Sequence, residues 1–137
     1  ALLRVAPVKM NEDIVVPRSR LADMFDFLAG LAERKRVTIV NFGHAGDGNI
    51  HVNIMTQGTD ADETRRAEEA VEEVFRAAVG FGGTISGEHG VGLVKAPFLE
   101  MEVGPMGVSV MKRLKACFDP NGILNPGKIF AEEVAAH

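Results

Sequence analysis

The sequence predicts an α+β fold, a mainly antiparallel sheet with helices on one face, and three observations predict it. Short β-branched runs such as "VTIVNF" and "HVNIM" are interspersed with longer stretches whose apolar residues recur at helical spacing. Two of the β-branched runs are separated only by a glycine-rich turn, as in a hairpin. The elements follow in the order strand, helix, strand, strand, helix, strand, helix, which points to a layer of helices on one side of the sheet.

Each element has a local cause. "EDIVVPRS" reads as a short strand, Ile14 to Val16, closed by Pro17. Ser19 is the expected N-cap of a helix, because Leu21, Met24, Phe25, Leu28 and Leu31 follow with i, i+3, i+4, i+7 spacing. Its basic last turn, Arg34, Lys35 and Arg36, suits the helix dipole and reads as a solvated end. Val37 to Phe42 is a buried strand and His51 to Thr56 its partner. From Asp60 to Val79 the pattern is helical, with Ala67, Ala70, Val71, Val74, Phe75, Ala78 and Val79 on one face, an outward Glu72–Arg76 pair, and Gly80 as the stop. Thr84 and Ile85 form a short strand within a glycine-rich loop. "PMGVSVMKRLKACFDP" gives a third helix with Val108, Met111, Leu114 and Phe118 inward, ended by Asp119-Pro120.

Composition narrows the class. The 137 residues are one domain or a piece of one, 46% hydrophobic and 25% charged, as in an ordinary globular chain. A net charge of -4 gives no nucleic-acid footprint. No apolar run approaches the roughly 18 residues of a membrane span, so a cytoplasmic location is expected. The lone cysteine, Cys117, excludes an internal disulfide and reads as a small buried helix residue. The opening "ALLRVAPVKM" has no initiating methionine and suggests a piece of a longer protein.

The chemistry concentrates in two glycine-rich segments. In "GHAGDGNIH" the loop Ala45 to Ile50 joins two strands, with Asp47-Gly48 supplying the reversal. His44 and His51 are then expected to face each other across the neck. Directly opposed residues hold their Cβ atoms about 4.5 to 5.5 Å apart, close enough for two imidazoles to bind one ion at about 2.0 to 2.1 Å. Simple hydrogen bonding of both rings to the loop backbone is the competing reading. The second segment, "SGEHGVG", adds Glu88 beside His89. Two histidines and a carboxylate form the ligand set of an open catalytic zinc site, leaving His89 to move a proton. Asp47 and Asn49 read as turn residues. Asn53, in phase with His51, is either a pocket residue or an exposed strand asparagine, Lys95 is either a pocket or a surface lysine, and the terminal His137 has no expected role.

"GHAGDGNIH", "GGTISGEHGVG" and "FDPNGILNPGKI", in this order and spacing, resemble the C-terminal domain of the FAD-linked oxidase family. That family includes the glycolate oxidase flavin subunit, D-lactate dehydrogenases and D-2-hydroxyglutarate dehydrogenase. "EDIVVPRS" resembles the segment before the first motif, so the resemblance spans nearly the whole chain. It implies the cap domain of a vanillyl-alcohol-oxidase-type flavoenzyme: residues 1–137 are the C-terminal substrate and metal domain, in part, and an N-terminal domain absent from this sequence binds FAD. By the same resemblance His44, His51 and Glu88 are ligands of a divalent metal, zinc or alternatively manganese, His89 is the catalytic base, and Asn53 contacts substrate. Asn125 and Lys128 correspond to the segment that returns toward the flavin. Arg18 and Lys9 are candidates to add positive charge for a substrate carboxylate, with surface positions as the plainer reading.

The implied function is oxidation of a D-2-hydroxy acid to the 2-oxo acid by the full-length flavoprotein, the isolated piece being inactive. The implied partners are the hydroxy acid, the chain's own FAD domain and an electron-transfer subunit that could tie it peripherally to a membrane. Two other classes remain open: a self-sufficient zinc hydrolase using the same ligands, and a non-enzymatic interaction module in which the histidines are structural.

Overall fold

A β-branched strand flanked by two others is the most buried of a small sheet, and here that strand is the one that carries His51. The computed structural model describes residues 8–130, so the opening residues and His137 lie outside the described residues. It divides into two units, one ending at His89 and one beginning at Gly90. In the first unit, β1 (Val8–Val15), β2 (Thr38–His44) and β3 (Asn49–Thr56) form a sheet of order β1-β3-β2 with both pairings antiparallel. β3 is central and buried along its whole length. Its residues alternate Ile50, Val52, Ile54 with Asn49, His51, Asn53, so the pleat gives it one apolar and one polar side.

The apolar side, with Ile14 of β1, is covered by α1 (Leu21–Lys35) and α2 (Ala61–Gly80). Met24, Leu28 and Leu31 from α1 and Ala67, Ala70, Val74, Phe75 and Ala78 from α2 are buried there. A fully buried side chain of Leu or Phe size contributes about 1.5–3 kcal/mol. The expected α+β architecture with helices on one face is what the chain forms.

Several boundaries differ from the sequence expectation. β1 runs from Val8 rather than from Ile14 because its whole length finds a ladder partner in β3. Ser19 is not an N-cap: a 3₁₀ turn, Arg18–Arg20, leads directly into α1 with no side-chain cap. α1 ends on Arg36 in the left-handed region (φ 52°), where Arg36 N–H reaches Glu33 O and Val37 N–H reaches Ala32 O. Asp60 does cap α2, its carboxylate accepting the Asp62 N–H at 2.9 Å. Gly80 is the last residue inside that helix; Gly82 (φ 79°) makes the left-handed cap instead. Thr84 forms a single bridge with Val15, and Ile85 is not in a strand.

The basic end of α1 is paired rather than simply solvated. Lys35 Nζ lies 2.9 Å from Glu69 and 3.0 Å from Glu73, and Arg34 lies 3.3 Å from Glu73. The anticipated Glu72–Arg76 pair forms at 2.6 Å. Hydrogen bonds donated to Glu69, then Glu73, hold the Lys35 ammonium above its ordinary pKa, and Lys35 holds both carboxyls below theirs. The carboxylate contribution to stability is therefore complete above the usual carboxylate range and lost as pH falls through the lowered values. The lysine contribution is complete below the ordinary lysine value and lost as pH rises through the raised one. Lys35→Met is expected to lower the thermal midpoint slightly near neutral pH, with the difference shrinking as pH falls through and below the ordinary carboxylate range and in high salt. Circular-dichroism melts across pH check this; a pH-independent difference would mean that lost packing, not charge, is responsible.

The second unit contains a 3₁₀ turn, Ala96–Phe98, and α3 (Leu99–Phe118). α3 starts earlier than expected, but Gly104 (φ 69°, ψ 168°) breaks it, and the segment anticipated from Pro105 follows the break. Asp119 ends it as expected. The Asp119 carboxylate accepts the N–H groups of Ile123 and Leu124 at 3.0 Å each and pairs with Lys115, whose ammonium also reaches Leu124 O at 2.7 Å. Lys115 first, then those two N–H groups, hold the Asp119 carboxyl below its usual range. The expected inward face is not buried: Leu114 and Phe118 are exposed, Phe118 by 84%, and Val108 and Met111 are only half-buried. Cys117, expected to be buried, is exposed.

Candidate functional site

Four residues, Ala45–Gly48, separate β2 from β3, fewer than the expected loop. The turn closes with Gly48 N–H on His44 O at 3.0 Å and Asn49 N–H on the Asp47 carboxylate at 3.0 Å, so Asp47 is a turn residue as its place before Gly48 suggested. The ladder therefore begins with His44 opposite Asn49, and His51 stands opposite Phe42. His44 and His51 are thus diagonal rather than directly opposed, which corrects the expectation. Diagonal neighbours on one side of a sheet remain within side-chain reach, and the two ring centroids are 5.9 Å apart at 82°.

His51 is the buried member, 9% exposed, and its ring is boxed in. Phe42 lies 5.3 Å away by centroids and His89 stacks against it at 5.5 Å and 28°. His44 and Glu88 are exposed. Glu88 Oε1 comes to 3.4 Å from His51 Nε2, and one ligand atom from each of His44, His51 and Glu88 lies within 4.8 Å of the others. A tetrahedral ion with bonds of about 2.1 Å needs ligand atoms about 3.4 Å apart, so the His51–Glu88 edge already has the required length, and the His44 atom lies within 4.8 Å of both. Two imidazoles and a carboxylate suit zinc and also manganese. The donor set fits a divalent ion with a side left open.

What brings Glu88 and His89 to the hairpin is β1. Val15 and Thr84 exchange backbone hydrogen bonds at 2.9 and 3.2 Å, which leads residues 84–89 back along the sheet. Asp13, directly opposite His51 in the ladder and fully buried, accepts the N–H groups of Glu88 at 2.5 Å and His89 at 3.1 Å on one oxygen. Its other oxygen lies 3.4 Å from His89 Nδ1. Sequence reading passed over Asp13. The available signal was an acid set one residue ahead of an apolar strand run, where a buried carboxylate requires partners.

The other candidates fall in different places. Asn53 is fully buried on the His51 side, not an exposed strand asparagine; its amide donates to Val40 O at 3.0 Å and its Oδ1 has no partner among the described residues. Asn49 is not a turn residue but the buried first residue of β3, its Oδ1 likewise unpartnered. Arg18 is exposed in the 3₁₀ turn, and its backbone runs beside Gly48, at the His44 end of the sheet. Lys9 is exposed on β1, on the Asp13 side but four residues on, about 13 Å along a strand, too far to join the cluster. Lys95 is buried in the second unit. Asn125 and Lys128 also lie in the second unit, where they line a groove of about 430 Å³ with Met111, Leu114, Leu124 and Phe130. Asn125 adopts a left-handed backbone (φ 46°).

Comparison with known proteins agrees with the motifs. Residues 1–129 match the family model described as FAD linked oxidases, C-terminal domain. Glycolate oxidase subunit GlcD of Bacillus subtilis is 49% identical over 133 residues, 97% of this chain and 28% of that protein. D-lactate dehydrogenase of Anaerostipes hadrus is 38% identical over 118 residues, 85% of this chain and 25% of its own. D-2-hydroxyglutarate dehydrogenase of Stutzerimonas stutzeri is 50% identical over 95 residues, 68% of this chain and 20% of its own. The chain spans about a quarter of the length of these relatives.

Proposed function

The chain belongs to the FAD linked oxidases, as their C-terminal domain, and on that premise we propose that it is the substrate and metal half of an FAD-dependent enzyme that oxidises a D-2-hydroxy acid to the 2-oxo acid. The observation that carries the reading is the convergence of His44, His51 and Glu88, with His89 stacked beside them, on a chain of this family. The three relatives are named for glycolate, lactate and 2-hydroxyglutarate, which share a hydroxyl on the carbon next to a carboxylate.

His44, His51 and Glu88 would hold the ion, zinc or manganese. When bound, the ion supplies positive charge that lowers the pKa of a coordinated hydroxyl. His51 is fixed by burial against Phe42, so it offers Nε2 in one orientation. His89 accepts the hydroxyl proton at Nε2, because its Nδ1 is turned to Asp13. Asn53 Oδ1, buried and unpartnered, is available to a substrate hydrogen bond. Arg18 would add positive charge near the His44 end, whereas Lys9 is placed too far along β1 to do so. FAD, the hydride acceptor, would be held mainly by the remainder of the full-length protein, with Asn125 and Lys128 as the contacts from this side. Among the described residues no helix is long and apolar enough to cross a membrane. A cytoplasmic location and an electron-transfer partner subunit, the latter in keeping with the "subunit" in the glycolate oxidase name, belong to the same proposal.

The test is metal removal from the full-length, FAD-loaded protein. Chelation is expected to abolish oxidation of D-2-hydroxy acids while FAD stays bound, and zinc or manganese to restore it. Unchanged turnover in protein shown by plasma mass spectrometry to be metal-free would overturn the metal-assisted reading. Turnover of model esters without flavin would instead favour the hydrolase.

A further inference from the structure

We propose that Asp13 is the positioning residue of this site, one buried carboxylate that fixes both the loop bearing Glu88 and the tautomer of His89, an assignment that rests on the function proposed above. Asp13 sits in β1, paired across the ladder with His51, so the group that holds the loop and the buried imidazole share one rigid frame. Its Oδ2 takes two successive backbone N–H groups, those of Glu88 and His89, which ties down the loop and leaves both side chains to act. The approach is close enough to require glycine next door: a Cβ on Gly87 would lie 2.8 Å from Asp13 Oδ2 and 2.8 Å from Asn49 Oδ1.

The second oxygen sets the imidazole. Facing Nδ1 at 3.4 Å, it favours the tautomer with the proton on Nδ1 and leaves the Nε2 lone pair to accept a proton. Apo geometry of this length commonly shortens in the substrate complex. Asp13 lies outside the donor group of His44, His51 and Glu88; it acts through Glu88 and His89.

Asp13→Asn separates the two roles. An asparagine oxygen can still accept the loop N–H groups, but its NH₂ then faces His89 Nδ1 and drives the proton to Nε2. In the full-length holoenzyme, kcat is expected to fall by up to about 10⁴-fold, by analogy with the carboxylate that orients a catalytic histidine elsewhere. KM and bound metal should stay within about 3-fold of the parent. Asp13→Ala loses the loop anchor as well and should weaken metal affinity about 10–100-fold, read by chelator competition. A folded, metal-loaded Asp13→Asn protein with kcat within about 3-fold of the parent would overturn the proposal. So would Asn and Ala variants that lose only thermal stability. Should Asp13→Asn not fold, ¹⁵N shifts of the His89 ring in parent protein decide: protonation on Nδ1 supports the assignment and protonation on Nε2 overturns it. His44→Ala measured in parallel keeps the cases apart, since a variant that retained its metal would refute the metal reading itself, independently of Asp13.

Discussion

Replacing His51 with alanine in the full-length protein is expected to remove the metal and, with it, essentially all oxidation of the hydroxy acid. Of the three ligand candidates His51 is the one the fold commits most fully. It is buried in the central strand, packed against Phe42, and already 3.4 Å from Glu88. Removing a member of a three-ligand set leaves two exposed side chains to hold the ion, and affinity should fall by at least about 10³-fold, well beyond the loss expected for an outer partner. Loss of a mostly buried ring also costs stability, about 1–2 kcal/mol, which could confuse the result. His44→Ala resolves this, because His44 is exposed at the end of β2: it should lose metal with little change in the unfolding midpoint. Plasma mass spectrometry and thermal melts on both variants are the measurement. Stoichiometric metal in His51→Ala would sink the ligand assignment.

The convergence of His44, His51 and Glu88 was legible in the sequence because it depends on local properties. Two histidines flanking a glycine-aspartate turn come near each other in any register that keeps them on one face, and the composition of "SGEHGVG" allowed only a loop. Register was the part that spacing could not supply. A turn four residues long rather than six moves the pairing by two positions, which keeps both rings on one side and changes direct opposition into a diagonal. Asp13 was missed for a different reason. Its partners are 75 and 76 residues away, and only the β1–β3 ladder, formed from distant segments, brings them together. Helix faces show the same limit. The periodicity of α2 gave its buried residues, with only Val79 of the expected face half-buried, because the sheet lies against them, whereas Leu114 and Phe118 share a face of α3 and remain exposed. A 3.6-residue period says which side chains align, not what covers them.

The largest structural effect is expected from Gly48→Ala, a single methyl group. Gly48 holds φ 80°, and a Cβ there would lie 2.0 Å from the carbonyl oxygen of Val16 and 3.3 Å from its carbon. Those are backbone atoms, so no rotamer change can relieve the overlap. Either Gly48 leaves the left-handed region, which breaks its N–H bond to His44 O, or the end of β1 moves away, which breaks the Val16 N–H bond to Gly48 O at 3.1 Å. Left-handed strain costs about 1–2 kcal/mol, and each orphaned backbone group about 1–3 kcal/mol. A total of about 2–5 kcal/mol follows, a large fraction of the 5–15 kcal/mol typical of a domain. Gly46→Ala in the same turn is the control, since a Cβ there meets nothing within 4 Å. It should change stability by no more than about 0.5 kcal/mol. Denaturant unfolding of the two variants, with metal content measured on each, reads both consequences. Gly48→Ala should unfold much earlier and lose metal because the turn sets the spacing of His44 and His51. Equal stability for the two variants would mean that the chain does not make this turn, and the diagonal geometry of the histidines would fall with it.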